Sequence, residues 1–308
     1  MIHLFNKKPS EAKSPLKATV KSQIYYILSL IAINYVLLPF IRTSHIDTGL
    51  LYGFNTAILV GGLLHMALIY YFHAKKKLPI KYIFIYALLI ILIVEMPYRI
   101  MYWDITTISL PDIICRILVV TLSCLFFTLK SYFKAFPIVL ALSVLVYCTF
   151  WGFSFWSHKI SHGSFTGVIE QKINADMILS DSDSSEAKLS FSSDFILLDV
   201  WNTHCGVCYK AFPKLQHLYN EYADNQQINI YAVHHREKKE DYKTGAIILE
   251  NEGFTFPCLS GDRDNDFLIE CGVRVYPTVL ILNKDKKLLF RGNLDRAVRY
   301  LEKLMSKG

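Results

Sequence analysis

In the stretch DVWNTHCGVCYKAFP, residues 199–213, Cys205 and Cys208 stand two residues apart, after an apolar run and before a segment with helical periodicity. Two thiols at that spacing can close and open a disulfide, or they can supply half of a tetrahedral zinc site. Zinc asks for a second closely spaced pair, and Cys258 and Cys271 are not so spaced. His234 and His235 are neighbours at the end of a predicted strand and would point to opposite sides of it. The pattern therefore favours thiol–disulfide exchange, with no metal and no cofactor. The attacking species in that chemistry is the thiolate. Cys205, at the mouth of a helix, would meet unsatisfied backbone N–H groups and the positive end of the helix dipole, both of which favour the anion. This assigns the nucleophile to Cys205 and the resolving thiol to Cys208, one turn further on.

The elements that must hold this pair are readable around it. FILLDVW (195–201) is an almost unbroken apolar run, as expected of a strand covered on both faces. From Gly206 to about Tyr222 apolar residues recur at helical spacing. INIYAV (228–233) reads as a second buried strand, and 239–252 as a helix closed by Gly253. FTFPCL suggests a short strand, TVLIL (278–282) and LLFRG a hairpin around NKDKK, and 294–306 a final amphipathic helix. Together they make a small α/β domain with a central mixed sheet. Asp199, on the first of these strands, should be desolvated, which raises a carboxyl pKa.

This segment resembles the thioredoxin fold, and its attachment to an apolar N-terminal half is similar to the TlpA/ResA type of membrane-anchored thiol–disulfide oxidoreductase. The likeness rests on the C-x-x-C of Cys205 and Cys208 after the first strand, Asp199 six residues before it, Pro213 five residues after it, and GVRVYPT (272–278). The resemblance implies that Asp199 relays a proton to the buried cysteine and that Pro277 is cis, so that the backbone of Tyr276 pairs with an extended substrate. Trp201 and His204 join Tyr276 and Pro277 as candidate substrate contacts. His204 stands where relatives commonly carry an aromatic residue; a protonated imidazole there would stabilise the thiolate.

The formal charge of +7 divides unevenly. Residues 1–160 hold 15 Lys/Arg against 5 Asp/Glu, and the remainder 18 against 21. The α/β half is slightly acidic, which argues against a nucleic-acid partner. Apolar runs at 22–41, 50–72, 82–96, 112–129 and 137–157 approach or reach the roughly 20 residues a spanning helix needs. Lysines cluster before the first run, between the second and third, and between the fourth and fifth. That alternation is the positive-inside pattern. It predicts an all-α bundle of five membrane helices over 22–157, a cytoplasmic basic tail at 1–21, a linker at 158–190 containing SDSDSSEAK, and a periplasmic thioredoxin-like domain at 191–308. The third run is the weak one, ending at Glu95 and Pro97 unless its helix continues toward Trp103. Cys115, Cys124 and Cys148 lie in the apolar half; Cys115 and Cys148 fall toward the outer ends of their runs, where a redox relay is the competing reading, but without a C-x-x-C all three read as apolar filler. His65 and Glu95 are ionisable residues within or near the spans, Glu95 being placed at the outer interface with Arg99 one turn on. Cys258 and Cys271 flank one predicted helix, either bonded or free.

The sequence thus predicts an oxidoreductase of a bacterial inner membrane that acts on exported protein or peptide disulfides, most simply as a reductase, with membrane lipid and an upstream membrane electron donor as further partners. The competing reading is a membrane receptor or assembly factor that uses the same module for binding without redox turnover.

Overall fold

The computed structural model describes residues 15–43, 53–181, 187–188 and 193–306. Most of the basic tail expected at 1–21, and much of the SDSDSSEAK stretch, lie outside these residues. The chain divides into two compact units, Met1–Ser154 and Phe155–Gly308.

Among the described residues five helices are long and apolar enough to cross a membrane: α1 (Thr19–Arg42), α2 (Gly53–Lys75), α3 (Ile80–Met101), α4 (Trp103–Thr128) and α5 (Ala135–His162). They match the five expected runs. Pro97 does not end α3, which continues a further turn to Met101. A proline in a helix removes one N–H and crowds the carbonyl four residues back. Here the extra turn carries Arg99 onto the face of Glu95, and the two pair at 3.2 Å.

The pairing of Glu95 with Arg99 expected from the sequence is thus present. Glu95 is buried within the first unit, where Arg116 reaches it at 2.7 Å and Arg42 at 3.1 Å. Asp112 takes Arg116 Nε at 3.2 Å and is also paired with Arg42, while Arg116 donates to the Asn34 side chain. His65 contacts the Gly61 carbonyl through Nδ1 at 2.7 Å and lies 3.5 Å from Asn34 Nδ2. In apolar surroundings an isolated charge is costly, so these groups gather and neutralise one another. Around them the helices pack through apolar stripes such as Ile83, Ala87 and Ile91 of α3, which meet Tyr26 and Leu30 of α1 and Ile113 and Val120 of α4.

The second unit is built on a six-stranded sheet of order β1-β8-β7-β4-β5-β6. Its strands are β1 (Val168–Lys172), β4 (Phe195–Trp201), β5 (Ile228–Arg236), β6 (Cys258–Asp262), β7 (Thr278–Asn283) and β8 (Lys287–Gly292). β2 (Ile178–Leu179) and β3 (Ala187–Lys188) form a separate small ladder. β4 runs parallel to β5, and β5 to β6, while β7 and β8 return antiparallel. The helices are α6 (Gly206–Glu221), α7 (Thr244–Asn251), α8 (Asp266–Glu270) and α9 (Leu294–Met305). On β4 the pleat sends Leu197 and Trp201 to one face, against Phe212 and Leu215 of α6 and Ala297 and Leu301 of α9. Ile196, Leu198 and Val200 go to the other, against Phe267 and Leu268 of α8 and Ile173 and Met177. A strand covered on both faces has no polar positions to spare, which explains its continuous apolar run.

Three boundaries differ from the sequence reading. Residues 158–190 are not simply a linker: β1 pairs with β8 in register Val168↔Phe290, and Ser180 bridges to Ser260 beside β6. The helix expected from 239 begins at Thr244, after a turn. The strand sought in FTFPCL starts only at Cys258. Arg291 of β8 supports two helix ends at once: its Nε donates to the His162 carbonyl and its Nη1 to the Cys271 carbonyl, each at 2.7 Å. Glycines follow both ends, Gly163 at φ +75 and Gly272 at φ +70, the left-handed conformation in which a helix commonly terminates.

Candidate active site

Cys205 and Cys208 are joined by a disulfide at the start of α6. Cys205 occupies the N-cap, and its sulfur accepts the Cys208 backbone N–H at 3.2 Å. That contact is the local reason a helix begins here, because an N-cap acceptor satisfies one of the four N–H groups the first turn leaves open. The preceding loop is fastened from both sides. Cys205 N–H donates to the Asn202 carbonyl at 3.1 Å, and the Tyr209 hydroxyl to the Thr203 carbonyl at 3.4 Å. Cys205 is partly open to solvent, Cys208 is buried in the core, and Val207 between them is 63% exposed. Pro213 sits inside α6.

Asp199 lies on the same face of β4 as Leu197 and Trp201, and therefore on the face that packs against Cys208. Burial holds its carboxyl up at about 7, and its Oδ1 has no partner. The cost of desolvating a carboxylate is what shifts the group toward its neutral form. The Tyr276–Pro277 peptide bond is cis. Tyr276 is partly exposed and touches the same core cluster as Cys205, with its hydroxyl 2.5 Å from His235 Nδ1. Thr278, which opens β7, donates to the Val275 carbonyl at 2.6 Å and closes the loop.

The structure thus draws together Asp199, Cys205, Cys208, Tyr276 and Pro277. His204 is exposed next to the disulfide. Trp201 requires a correction: it is fully buried, and its ring packs against Tyr209, Phe212 and His234, so it cannot serve as a substrate contact. Cys258 and Cys271 are both free. They belong to the clusters on opposite faces of the sheet, which is why they do not bond, and burial pushes each thiol up to about 12.

One group near the site was not legible beforehand. Glu240 Oε1 accepts the Thr203 hydroxyl at 2.7 Å, its Oε2 accepts the Glu237 N–H at 2.7 Å, and His234 Nε2 stands 3.3 Å away, an ion-pair distance without an aligned hydrogen bond. Burial alone would raise the Glu240 pKa, but these donors and the nearby imidazoles outweigh it and hold the carboxylate below its usual range. The only sequence signal was Glu240 within EKKED, which reads as a solvated charge run.

Residues 193–288 match the family model described as thioredoxin-like. A curated relative, the thiol-disulfide oxidoreductase ResA of Halalkalibacterium halodurans, is 24% identical over 161 residues, covering 52% of this chain and 85% of that protein. A thiol:disulfide interchange protein from a Bacteroides species aligns at 20% identity and a TM-score of 0.38, over 44% of this chain and 90% of that one. The thioredoxin domain of a thiol-disulfide oxidoreductase from Bacteroides vulgatus aligns at 20% identity and a TM-score of 0.38, over 44% and 98%. The family match covers β4, the Cys205–Cys208 helix and the cis-proline loop. The C-terminal half of this chain is therefore a thioredoxin-like domain.

Proposed function

We propose that this chain is a membrane-anchored thiol–disulfide oxidoreductase that reduces disulfides in exported proteins. The carrying observation is the Cys205–Cys208 disulfide at the N-terminus of α6, with a buried acid on the facing strand. In the reduced form the Cys205 thiolate is stabilised by the open N–H groups and dipole of α6. It attacks a substrate disulfide and forms a mixed disulfide, releasing one substrate thiolate. Cys208 loses its proton to Asp199, which at about 7 is matched to that transfer, and attacks Cys205 to release the second. The substrate gains two electrons and two protons, and the Cys205–Cys208 disulfide returns. An extended peptide would pair with the backbone of Tyr276 beside the cis proline, as an added strand does. His204 is the side chain placed to meet it and to stabilise the thiolate.

The helices α1–α5 supply the anchor, and the alternation of lysine-rich loops supports a cytoplasmic N-terminus in a bacterial inner membrane with the thioredoxin-like domain on the far side. A membrane-impermeant maleimide applied to intact cells tests that orientation by labelling reduced Cys205. The activity is tested with Cys208→Ser, which leaves Cys205 without its resolving partner. Exported proteins should accumulate on Cys205 as mixed disulfides that dithiothreitol releases. Their absence would leave a binding module in which the two cysteines do not turn over.

A further inference from the structure

The first unit holds a second pair of thiols. Cys115 of α4 and Cys148 of α5 come from helices that pack together, and their thiols face and interact with each other. Cys115 is fully buried, Cys148 is partly open, and both are free. Cys124, by contrast, sits in a different apolar cluster and has no such partner there. Cysteine as filler explains one buried thiol; it gives no reason for two from different helices to meet.

An independent observation concerns charge. Cys115 follows one turn after Asp112, directly precedes Arg116, and lies within electrostatic reach of both. Among the described residues the buried cluster there contains three guanidiniums, Arg42, Arg99 and Arg116, against two carboxylates, Glu95 and Asp112. One positive charge is left over. Asp112 acts on Cys115 more strongly than Arg116 does, so the sulfur that attacks first is Cys148.

We propose that Cys115 and Cys148 form a second dithiol–disulfide couple, inside the helical unit, that exchanges two electrons with the Cys205–Cys208 couple. This rests on the reading of Cys205–Cys208 as redox-active and extends it by naming its electron donor. The partly open Cys148 thiolate attacks Cys205 of an oxidised thioredoxin-like domain in a second copy of the chain. A Cys148–Cys205 disulfide forms and Cys208 leaves as thiolate. Cys115 then attacks Cys148 and releases Cys205 as thiolate. The Cys115–Cys148 pair gives up two electrons and two protons, and Cys205 and Cys208 take up both. A dithiol reductant on the donor side resets the Cys115–Cys148 disulfide.

Two full-length variants reconstituted in the same vesicles test this. The donor is Cys205→Ser/Cys208→Ser with its remaining thiols reduced; the acceptor is Cys115→Ser/Cys148→Ser carrying the Cys205–Cys208 disulfide. Acid quenching, alkylation and peptide mass spectrometry should show the donor gaining a Cys115–Cys148 cross-link in step with loss of the acceptor disulfide. A donor that also carries Cys115→Ser should stall as a Cys148–Cys205 mixed disulfide between the two chains. Recovery of Cys115 and Cys148 as two free thiols, while dithiothreitol still reduces the acceptor, overturns the proposal. An acceptor that dithiothreitol cannot reduce defeats the reading of Cys205–Cys208 instead. In that event 4,4′-dithiodipyridine on the donor decides the membrane pair. A Cys115–Cys148 cross-link supports the couple, and two separate pyridyl adducts overturn it.

Discussion

Asp199 lies beneath the disulfide on a strand with no access to water, and the consequence is a pH dependence of known sign. Its carboxyl titrates at about 7 in the fold against 3.8 when exposed, so the folded chain holds a proton that the unfolded chain has lost between those values. Stability is therefore lost as the pH rises through that window, by up to ~4 kcal/mol above it. In oxidised protein, Asp199→Asn should raise the urea midpoint at pH 8 and leave it nearly unchanged at pH 4. A midpoint difference that is constant across that range would show that Asp199 does not change protonation on folding. The same substitution should slow the resolving step while sparing the first attack by Cys205, seen as persistence of mixed disulfide in stopped-flow quenching. The residues of the exchange chemistry were legible because their spacing along one strand, one helix and one loop is fixed by local geometry. Trp201 was misread because a run apolar at every position does not say whether its last side chain ends in core or in cleft. Glu240 was invisible for the opposite reason: its partners Thr203 and His234 come from segments that only the sheet brings together.

The elements show where local rules yield to packing. Of the two readings of α3, ending at Pro97 or continuing toward Trp103, the structure takes the second: the turn beyond Pro97 is retained and places Arg99 against Glu95 and against the carbonyls of Thr106 at 2.9 Å and Ser109 at 3.2 Å. The Glu95–Arg99 pair was legible as an i,i+4 spacing, but the ion pairs that join different helices, Arg42 and Arg116 to Glu95 and Arg42 to Asp112, were not, since only the packing of the helices brings those charges together. Arg116 touches Glu95, Asp112 and Asn34 while fully buried. Arg116→Ala takes one guanidinium partner from each of Glu95 and Asp112 and the donor from the Asn34 side chain, and should cost roughly 3–5 kcal/mol. Detergent-solubilised protein should show it as a lower thermal midpoint of the helical signal, whereas Arg116→Lys should recover part of the loss. In the thioredoxin-like unit α9 begins at Asn293, whose side chain accepts the Arg296 N–H at 3.0 Å. Asn293→Ala should cost about 1 kcal/mol in urea titration, and Asn293→Asp almost nothing. α7 crosses β5 so closely that a Cβ on Gly245 would meet the His234 ring. Gly245→Ala should therefore disturb the Thr203–Glu240–His234 contacts.

At the scale of the whole chain, the sequence located both halves but misplaced the seam between them. Polar, serine-rich composition marked 158–190 as a lead-in, whereas β1 within it closes one edge of the sheet against β8. Its residues alternate half-buried and exposed, a pattern too faint to be recognised without its partner strand. A fragment of residues 191–308 should consequently melt lower than one of residues 155–308, by roughly 6–8 °C if the edge strand contributes about 2 kcal/mol. Equal melting temperatures would show that β1 is dispensable. Arg291 bears on the same point. Because one guanidinium receives the carbonyls that end two separate helices, those ends cannot fray independently of each other. Amide hydrogens around Gly163 and Gly272, more than a hundred positions apart along the chain, should exchange with deuterium as a single cooperative opening. Replacing Arg291 by Leu should speed both together.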